Sequence, residues 1–324
     1  MRCDKLELKG KDIISLRDMS REEMELIFDT ADKMNPRKRS DLLKDYILAS
    51  LFFEPSTRTR LSFESAMHRL GGAVIGFASS KVSRAGDPRF AEELSDTIRM
   101  VDSYADVIII RHFIEGAARI AANHANIPVI NAGDGWGEHS EHPTQALLDL
   151  YTIKKEKGRI DGLKIATMGN QKYVRALHSM AYALAKFDVD LTIISPEEYR
   201  LPRFIIEYLQ KSGIDFRETE KLEDVIGDID VLYVESIPHA PLSALSHSER
   251  ARLTKYHSYY RLTMKELEKA KEGLIILHPL PRSDELGFQI FPEVDKTPYA
   301  KYFVEAFYGV PVRMAILALV LGAV

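Results

Sequence analysis

The sequence predicts an α/β protein of two doubly wound domains, each built on a parallel central sheet with helices on both faces. Short β-branched and apolar runs alternate with helical periods along nearly the whole chain. A polar stretch, Lys154-Lys155-Glu156-Lys157-Gly158-Arg159, interrupts that rhythm near its middle. At about 100–200 residues per domain, 324 residues make two domains, each able to bury its own core.

The elements follow in order. Ser20-Arg21-Glu22-Glu23 has the capping-box pattern, with Met24, Ile27, Phe28 and Ala31 behind it at helical spacing, so a helix opens the fold. Strands are expected over 46–53 (YILASLFF), 73–78 (AVIGFA), 106–111 (DVIIIR) and 127–131 (IPVIN), with helical segments between them. A helix over His142–Ile153 then links the halves. Beyond the polar stretch, strands are expected over 163–168 (LKIATM), 189–195 (VDLTIIS), 230–235 (DVLYVE) and 274–278 (LIILH). The domains are placed at 1–150 and 151–304, with a terminal helix over 305–324 packing back on the first. Ligands of open α/β sheets bind at the carboxyl ends of strands, so a cleft between the two domains is the expected site.

Composition narrows the function. Apolar residues are 45% and charged residues 28%, the balance of an ordinary globular protein rather than a disordered or fibrous one. Lys plus Arg number 44 against 48 Asp plus Glu, a net charge of −4, which argues against a chain built to coat nucleic acid. Cys3 is the single cysteine, and a lone thiol fits a reducing compartment, so the cytoplasm is expected. The N-terminus has no apolar h-region, and the longest apolar run, Met314 to Val324, has 11 residues. That is too short to cross a membrane, and the run reads as a buried helix.

The most informative stretch is Phe52-Phe53-Glu54-Pro55-Ser56-Thr57-Arg58-Thr59-Arg60, which follows a strand and opens a helix. A helix N-terminus presents unpaired N–H groups and partial positive charge, so hydroxyls and guanidiniums gathered there make a receptor for phosphate or carboxylate. Walker A and dinucleotide glycine patterns are absent, so neither ATP nor NAD is implied. Gly133-Asp134-Gly135-Trp136-Gly137 is expected as a plain loop. Arg111 ends an apolar strand and His142 precedes Pro143 and a helix. Arg175 falls in a helical first turn, where a cation is disfavoured unless an anionic ligand offsets it. Glu54 is placed to pair with a cleft arginine. Lys172 and His178 read as ordinary helix residues, and the histidines, acids and Cys3 show no metal-ligand spacing, so no metal or other cofactor is expected.

Ser56-Thr57-Arg58-Thr59-Arg60 resembles the carbamoyl-phosphate signature of the aspartate/ornithine carbamoyltransferase family. Arg111-His112 followed by Glu115-Gly116-Ala117-Ala118-Arg119, His142-Pro143-Thr144-Gln145, Lys172-Tyr173-Val174-Arg175 and His278-Pro279-Leu280-Pro281-Arg282 are similar to further blocks of that family, in the same order. The resemblance covers nearly the whole chain. His278-Pro279-Leu280-Pro281 and the run from Glu293 to Ala300 are similar to the branch that uses aspartate, whose place is in pyrimidine biosynthesis.

The resemblance implies that Ser56, Thr57, Arg58 and Thr59 hold the phosphate of carbamoyl phosphate, with Arg111 as a second cation. It also implies that Thr59, Arg111 and His142 donate to the carbonyl oxygen as it gains charge. Gln145 and the main-chain carbonyls of Pro279 and Leu280 would orient the carbamoyl NH2 and the incoming amine, and Arg175 would take the acceptor's α-carboxylate. The cations that matter are then Arg58, Arg60, Arg111 and Arg175. The family further implies a homotrimer with sites shared between chains, and regulatory chains or a dihydroorotase as possible partners.

Three departures fall on the acceptor and loop sides. Where the aspartate branch carries a threonine-arginine pair and then a glutamine after the strand, this chain reads Glu235-Ser236-Ile237-Pro238, so Ser236 stands for the arginine and Pro238 for the glutamine. Loss of a guanidinium facing a carboxylate removes roughly 1.5–3 kcal/mol, so an acceptor with a different second group is an alternative. In the loop expected to complete a neighbouring subunit's site, Ala85 aligns with the family lysine, leaving Lys81 or Arg84 as its replacement. Phe113-Ile114 replaces a proline-containing pair. A non-catalytic scaffold is the reading from another class, opposed by the retention of Thr59, Arg111, His142 and Gln145.

Overall fold

A computed structural model describes residues 7–80, 92–237, 246–284 and 286–324. Cys3, Lys81, Arg84, Ala85 and Pro238 lie outside the described residues. The chain forms two compact units, the first comprising Met1–Gly135, His139–Leu148 and Tyr308–Val324, the second Trp136–Glu138 and Asp149–Phe307.

The first unit opens with α1 (Arg21–Lys33), whose N-cap Ser20 accepts from the Glu23 N–H while the Glu23 carboxylate accepts from the Ser20 N–H. That is the capping box read from the sequence. β1 (Ile47–Phe52), α2 (Arg58–Arg69), β2 (Ala73–Phe77), α3 (Leu94–Asp102), β3 (Val107–His112), α4 (Ala117–Ala122) and β4 (Val129–Asp134) follow. The four strands are parallel in the order β2-β1-β3-β4. Buried strands of a parallel sheet are covered on both faces, which is why β1 and β3 are nearly continuous apolar runs while the edge strand β2 is largely exposed. One face of the sheet, with Ala49, Leu51, Ile108, Ile110 and Val129, closes on Ile98 of α3 and Ala118 and Ala121 of α4. α5 (Pro143–Lys157) begins in this unit and runs on into residues grouped with the second.

The second unit contains β5 (Lys164–Met168), α6 (Arg175–Leu184), β6 (Asp190–Ile194), α7 (Arg203–Ser212), β7 (Asp215–Thr219), β8 (Val231–Val234), α8 (His247–Tyr259), α9 (Met264–Leu267) and β9 (Ile275–Leu277). Its strands are parallel in the order β7-β6-β5-β8-β9. A short antiparallel pair, β10 (Ser283–Asp284) and β11 (Gly287–Phe288), precedes the last helix, α10 (Tyr302–Val320). The main core of this unit runs from Ala166, Met168, Leu232, Val234 and Ile276 in the sheet to Leu253, Leu262 and Leu267 beside it.

Three elements correct the sequence reading. β7 has no apolar run: its sequence DFRET lies at the sheet edge with most side chains exposed, so the ladder and not burial defines it. β4 extends through Gly133 and Asp134, so the glycine-rich stretch begins as strand and only then becomes loop. The terminal helix, expected over 305–324, runs from Tyr302 to Val320; its 19 residues, with a mean hydropathy of 1.7 in the most apolar window, are long and apolar enough to span a bilayer by length and composition. Of that window 67% is buried within the fold, and the helix carries the buried charges Glu305 and Arg313. Arg313 stacks on Phe63 of α2, 5.0 Å from the ring centre, as a core helix of the first unit does.

Ile110→Ala removes a fully buried side chain from the central strand pair. It should lower stability by about 2–5 kcal/mol, read as an earlier urea unfolding midpoint.

Candidate active site

In each sheet the chain order reverses at one place, and the loops leaving the two strands on either side of that point diverge to make a crevice. In the first unit the reversal lies between β1 and β3. The register pairs Phe52 with Arg111, so the segment that leaves β1 toward α2 starts level with the Arg111 side chain. Phe53 N–H donates to the Arg111 carbonyl at 2.9 Å, extending the pairing one residue further.

Ser56 and Thr57 sit at the head of α2, with Thr57 as N-cap. Thr57 makes no side-chain cap, and no acidic residue occupies the first turn of α2. The positive end of this helix therefore keeps its N–H groups and dipole for an anion. Thr57 and Arg58 are exposed, Ser56 is half-buried and Thr59 is buried. The Thr59 hydroxyl lies 3.4 Å from His142 Nε2, and either group can donate depending on the imidazole tautomer. Arg60 is anchored differently, to Glu64 one turn on at 2.7 Å. Arg111 donates to Glu54 Oε1 at 3.1 Å and to the Ala132 carbonyl at 3.4 Å, and both members of this ion pair are largely buried. Glu54 thus holds an arginine of the same rim, as the sequence suggested.

His142 and Gln145 come from the start of α5, and both are buried. Asp134, at the end of β4, positions the approach to them. Its carboxylate accepts from the N–H groups of Gly116 at 3.0 Å and Glu141 at 3.2 Å and from the Asn131 amide at 3.0 Å. Gly135 turns the chain at φ +66°, where an added Cβ would lie 2.5 Å from the Glu115 Cα, so only glycine fits. The structure therefore brings Ser56, Thr57, Arg58, Thr59, Arg111, His142 and Gln145 into one unit, on the carboxyl-end side of its sheet.

In the second unit the order reverses between β5 and β8. Gly169 follows β5 at φ +143°, and a Cβ there would meet the Glu235 carbonyl at 2.8 Å, so the ends of β5 and β8 approach backbone to backbone. Arg175 is the first residue of α6 and is buried. Lys172 precedes the helix rather than lying in it, and His178 is fully buried with Nε2 bonded to the Gln171 carbonyl at 2.9 Å. Ser236 follows β8, its carbonyl accepting from Asn170 N–H at 3.1 Å.

Pro279 and Leu280 follow β9 in the same unit. Leu280 has φ +59°, a left-handed backbone that a γ-branched residue adopts only when its surroundings impose it. His278 Nδ1 accepts from the Leu280 N–H at 2.8 Å, and the His278 N–H donates to Glu305 Oε2 at 2.8 Å. Burial, with the Asp149 carboxyl hydrogen-bonded beside it, pushes the Glu305 carboxyl well above the ordinary carboxylate range. These contacts fix the turn that presents the Pro279 and Leu280 carbonyls.

Sequence reasoning gave no role to His112, Asp134 or Trp136. His112 packs on Phe53, ring centres 4.6 Å apart, and its Nδ1 accepts from the Ile114 N–H at 2.9 Å. Trp136, the single tryptophan, lies over Arg175, 4.6 Å from guanidinium carbon to ring centre. Its position next to Gly135 and a few residues before His142 was the one available signal. No group of three or more potential metal ligands occurs among the described residues.

A family profile described as "Aspartate/ornithine carbamoyltransferase, carbamoyl-P binding domain" matches residues 11–155, and a second, "Aspartate/ornithine carbamoyltransferase, Asp/Orn binding domain", matches residues 161–320. The chain is 50% identical over 321 residues to the aspartate carbamoyltransferase catalytic subunit of Thermococcus onnurineus, covering 98% of this chain and 99% of that one. It resembles the catalytic subunit of M. jannaschii aspartate transcarbamoylase with TM-score 0.80 and 47% identity, over 95% of this chain and 96% of that one. The Trypanosoma cruzi aspartate transcarbamoylase in complex with carbamoyl phosphate and aspartate superposes with TM-score 0.85 at 35% identity, over 97% and 96% of the two chains.

Burial lowers the His112 pKa from 6.5 to about 4, with Glu54 opposing the shift. Between those values the folded chain binds fewer protons at this site than the unfolded chain, so stability present above pH 6.5 is lost as pH falls toward about 4. A His112→Gln variant should show a shallower decline of unfolding temperature across that interval than the wild type.

Proposed function

The chain belongs to the aspartate/ornithine carbamoyltransferase family, and on that premise we propose that it transfers the carbamoyl group of carbamoyl phosphate to the amine of L-aspartate. The products are N-carbamoyl-L-aspartate and phosphate. The observation that carries the proposal is the pairing of Thr59 with His142 at 3.4 Å, at the head of a helix whose preceding strand is in register with Arg111.

Each step follows from the chemistry of these groups. The phosphate is held by the α2 N–H groups, the hydroxyls of Ser56, Thr57 and Thr59, and Arg58. The neutral amine attacks the carbamoyl carbon, and the charge that grows on its oxygen is met by Thr59, Arg111 and His142. Donors aimed at that oxygen lower the barrier of the chemical step itself. Gln145 and the carbonyls of Pro279 and Leu280 hold the carbamoyl NH2 and the amine in line, so positioning supplies much of the remaining acceleration. When the C–O bond to phosphate breaks, the departing phosphate accepts the amine proton, and no covalent enzyme intermediate forms. Arg175 binds the acceptor's α-carboxylate.

A second reading, another amine as acceptor, is favoured by Ser236, a short neutral side chain where the aspartate branch places a guanidinium. Assembly as a homotrimer in the cytoplasm, with regulatory chains or a dihydroorotase as partners, belongs to the same proposal; a solution mass of three chains is the expected result.

Purified protein given carbamoyl phosphate and L-aspartate should release phosphate and form carbamoyl aspartate. Thr59→Val should lower kcat about 100-fold, and Arg58→Ala should lower kcat/KM for carbamoyl phosphate at least as far. Turnover of another amine with aspartate inert would discard the aspartate assignment, and an active Arg58→Ala would discard the site.

A further inference from the structure

Trp136 and Glu138 lie in a three-residue segment that is grouped with the second unit, although the residues before and after it belong to the first. Both side chains contact the turn that leads into α6. The indole of Trp136 faces the Arg175 guanidinium at 4.6 Å, and Glu138 Oε1 lies 3.4 Å from Lys172 Nζ. Lys172 also stands over the ring of Tyr173, 5.2 Å from its centre. The segment is therefore fastened at two points, three residues apart on the turn.

The two partners differ sharply in exposure: Arg175 is 5% exposed and Trp136 is 46% exposed. An indole left half in water gains little from burial, so its placement is better accounted for by what it does to the cation beneath it. A guanidinium is planar and donates from its edge, and a π-face laid against it holds the plane and directs those donors sideways. A carboxylate bound in two-point fashion needs that plane fixed, because a guanidinium free to rotate offers one donor at a time.

Building on the reading of Arg175 as the acceptor's carboxylate receptor, we propose that Trp136 is a positioning residue that sets acceptor affinity by holding the Arg175 guanidinium plane. The Glu138–Lys172 ion pair keeps the segment in place, a modest contribution for an exposed pair. Trp136 touches no reacting atom in this scheme. Its effect passes through Arg175 and therefore falls on the acceptor alone.

The test compares the two Michaelis constants. Trp136→Ala should raise KM for aspartate about tenfold while KM for carbamoyl phosphate stays within about twofold, and Trp136→Phe should recover most of the loss. Because the chain has a single tryptophan, its emission reports this contact in the unaltered protein. Adding succinate, a dicarboxylate without the amine, to protein holding carbamoyl phosphate should shift that emission, and inorganic phosphate alone should not. An active wild type whose Trp136→Ala variant keeps KM for aspartate within twofold, or raises both constants alike, overturns the inference and leaves the proposed function standing. An emission unmoved by saturating succinate overturns it even where the variant fails to fold. A wild type inert with aspartate removes the acceptor reading and this inference with it.

Discussion

Because β1 and β3 run in the same direction with Phe52 level with Arg111, everything that leaves those two strands emerges on one rim. Parallel pairing at a point where the chain order reverses leaves a crevice there that no crossover helix fills, and it is lined by whatever the chain places just past the strand ends. The first unit places Ser56, Thr57, Thr59 and Arg111 there, with Glu54 bracing the arginine. The second repeats the device between β5 and β8 with different chemistry: Gly169, Ser236 and Arg175. The two sheets thus share one kind of switch point and line it with different chemistry.

The net charge of −4 says little about the ligand. The features that suit an anion are local: the start of α2 with no acidic residue in its first turn, and Arg175 opening α6 with none in its own. Placing a buried cation at the positive end of a helix is unfavourable by itself. Under the proposed function an acceptor carboxylate offsets both the guanidinium and the helix dipole, and the Trp136 ring lies against the same cation. Glu305 follows the opposite logic: burial and the Asp149 carboxyl beside it favour its protonated form, and it holds the turn after His278 by accepting from the His278 N–H.

Much of this was legible in the sequence, for identifiable reasons. Eight strands stood out by pattern as apolar or β-branched runs, the five inner ones, β1, β3, β5, β6 and β8, because parallel sheets bury both faces. β7 did not, because an edge strand such as DFRET is defined by its ladder and keeps its charges in water. The donor residues were readable because they are contiguous around Ser56–Arg60 or end a recognisable strand. Trp136 was not, because its contact with Arg175 joins residues far apart in sequence, and a lone aromatic in a glycine-rich stretch has no periodicity. The last helix was readable to within a few residues, 305–324 expected against Tyr302–Val320, because Glu305 and Arg313 interrupt the apolar pattern without breaking the helix.

The last helix has a consequence for how the chain comes into being. Tyr308–Val324 completes the first unit, where the Gly10 N–H donates to the Val320 carbonyl at 2.9 Å and Tyr46 reaches the Leu321 carbonyl at 3.5 Å. A ribosome making this protein therefore releases the second unit's entire sequence before the first can close its core. The unit with the earliest residues is the last to be finished, and its contacts span nearly the full length of the chain, the kind of long loop that slows folding. Tyr308–Val324 thus has to be made before β1, α2 and their neighbours can pack fully.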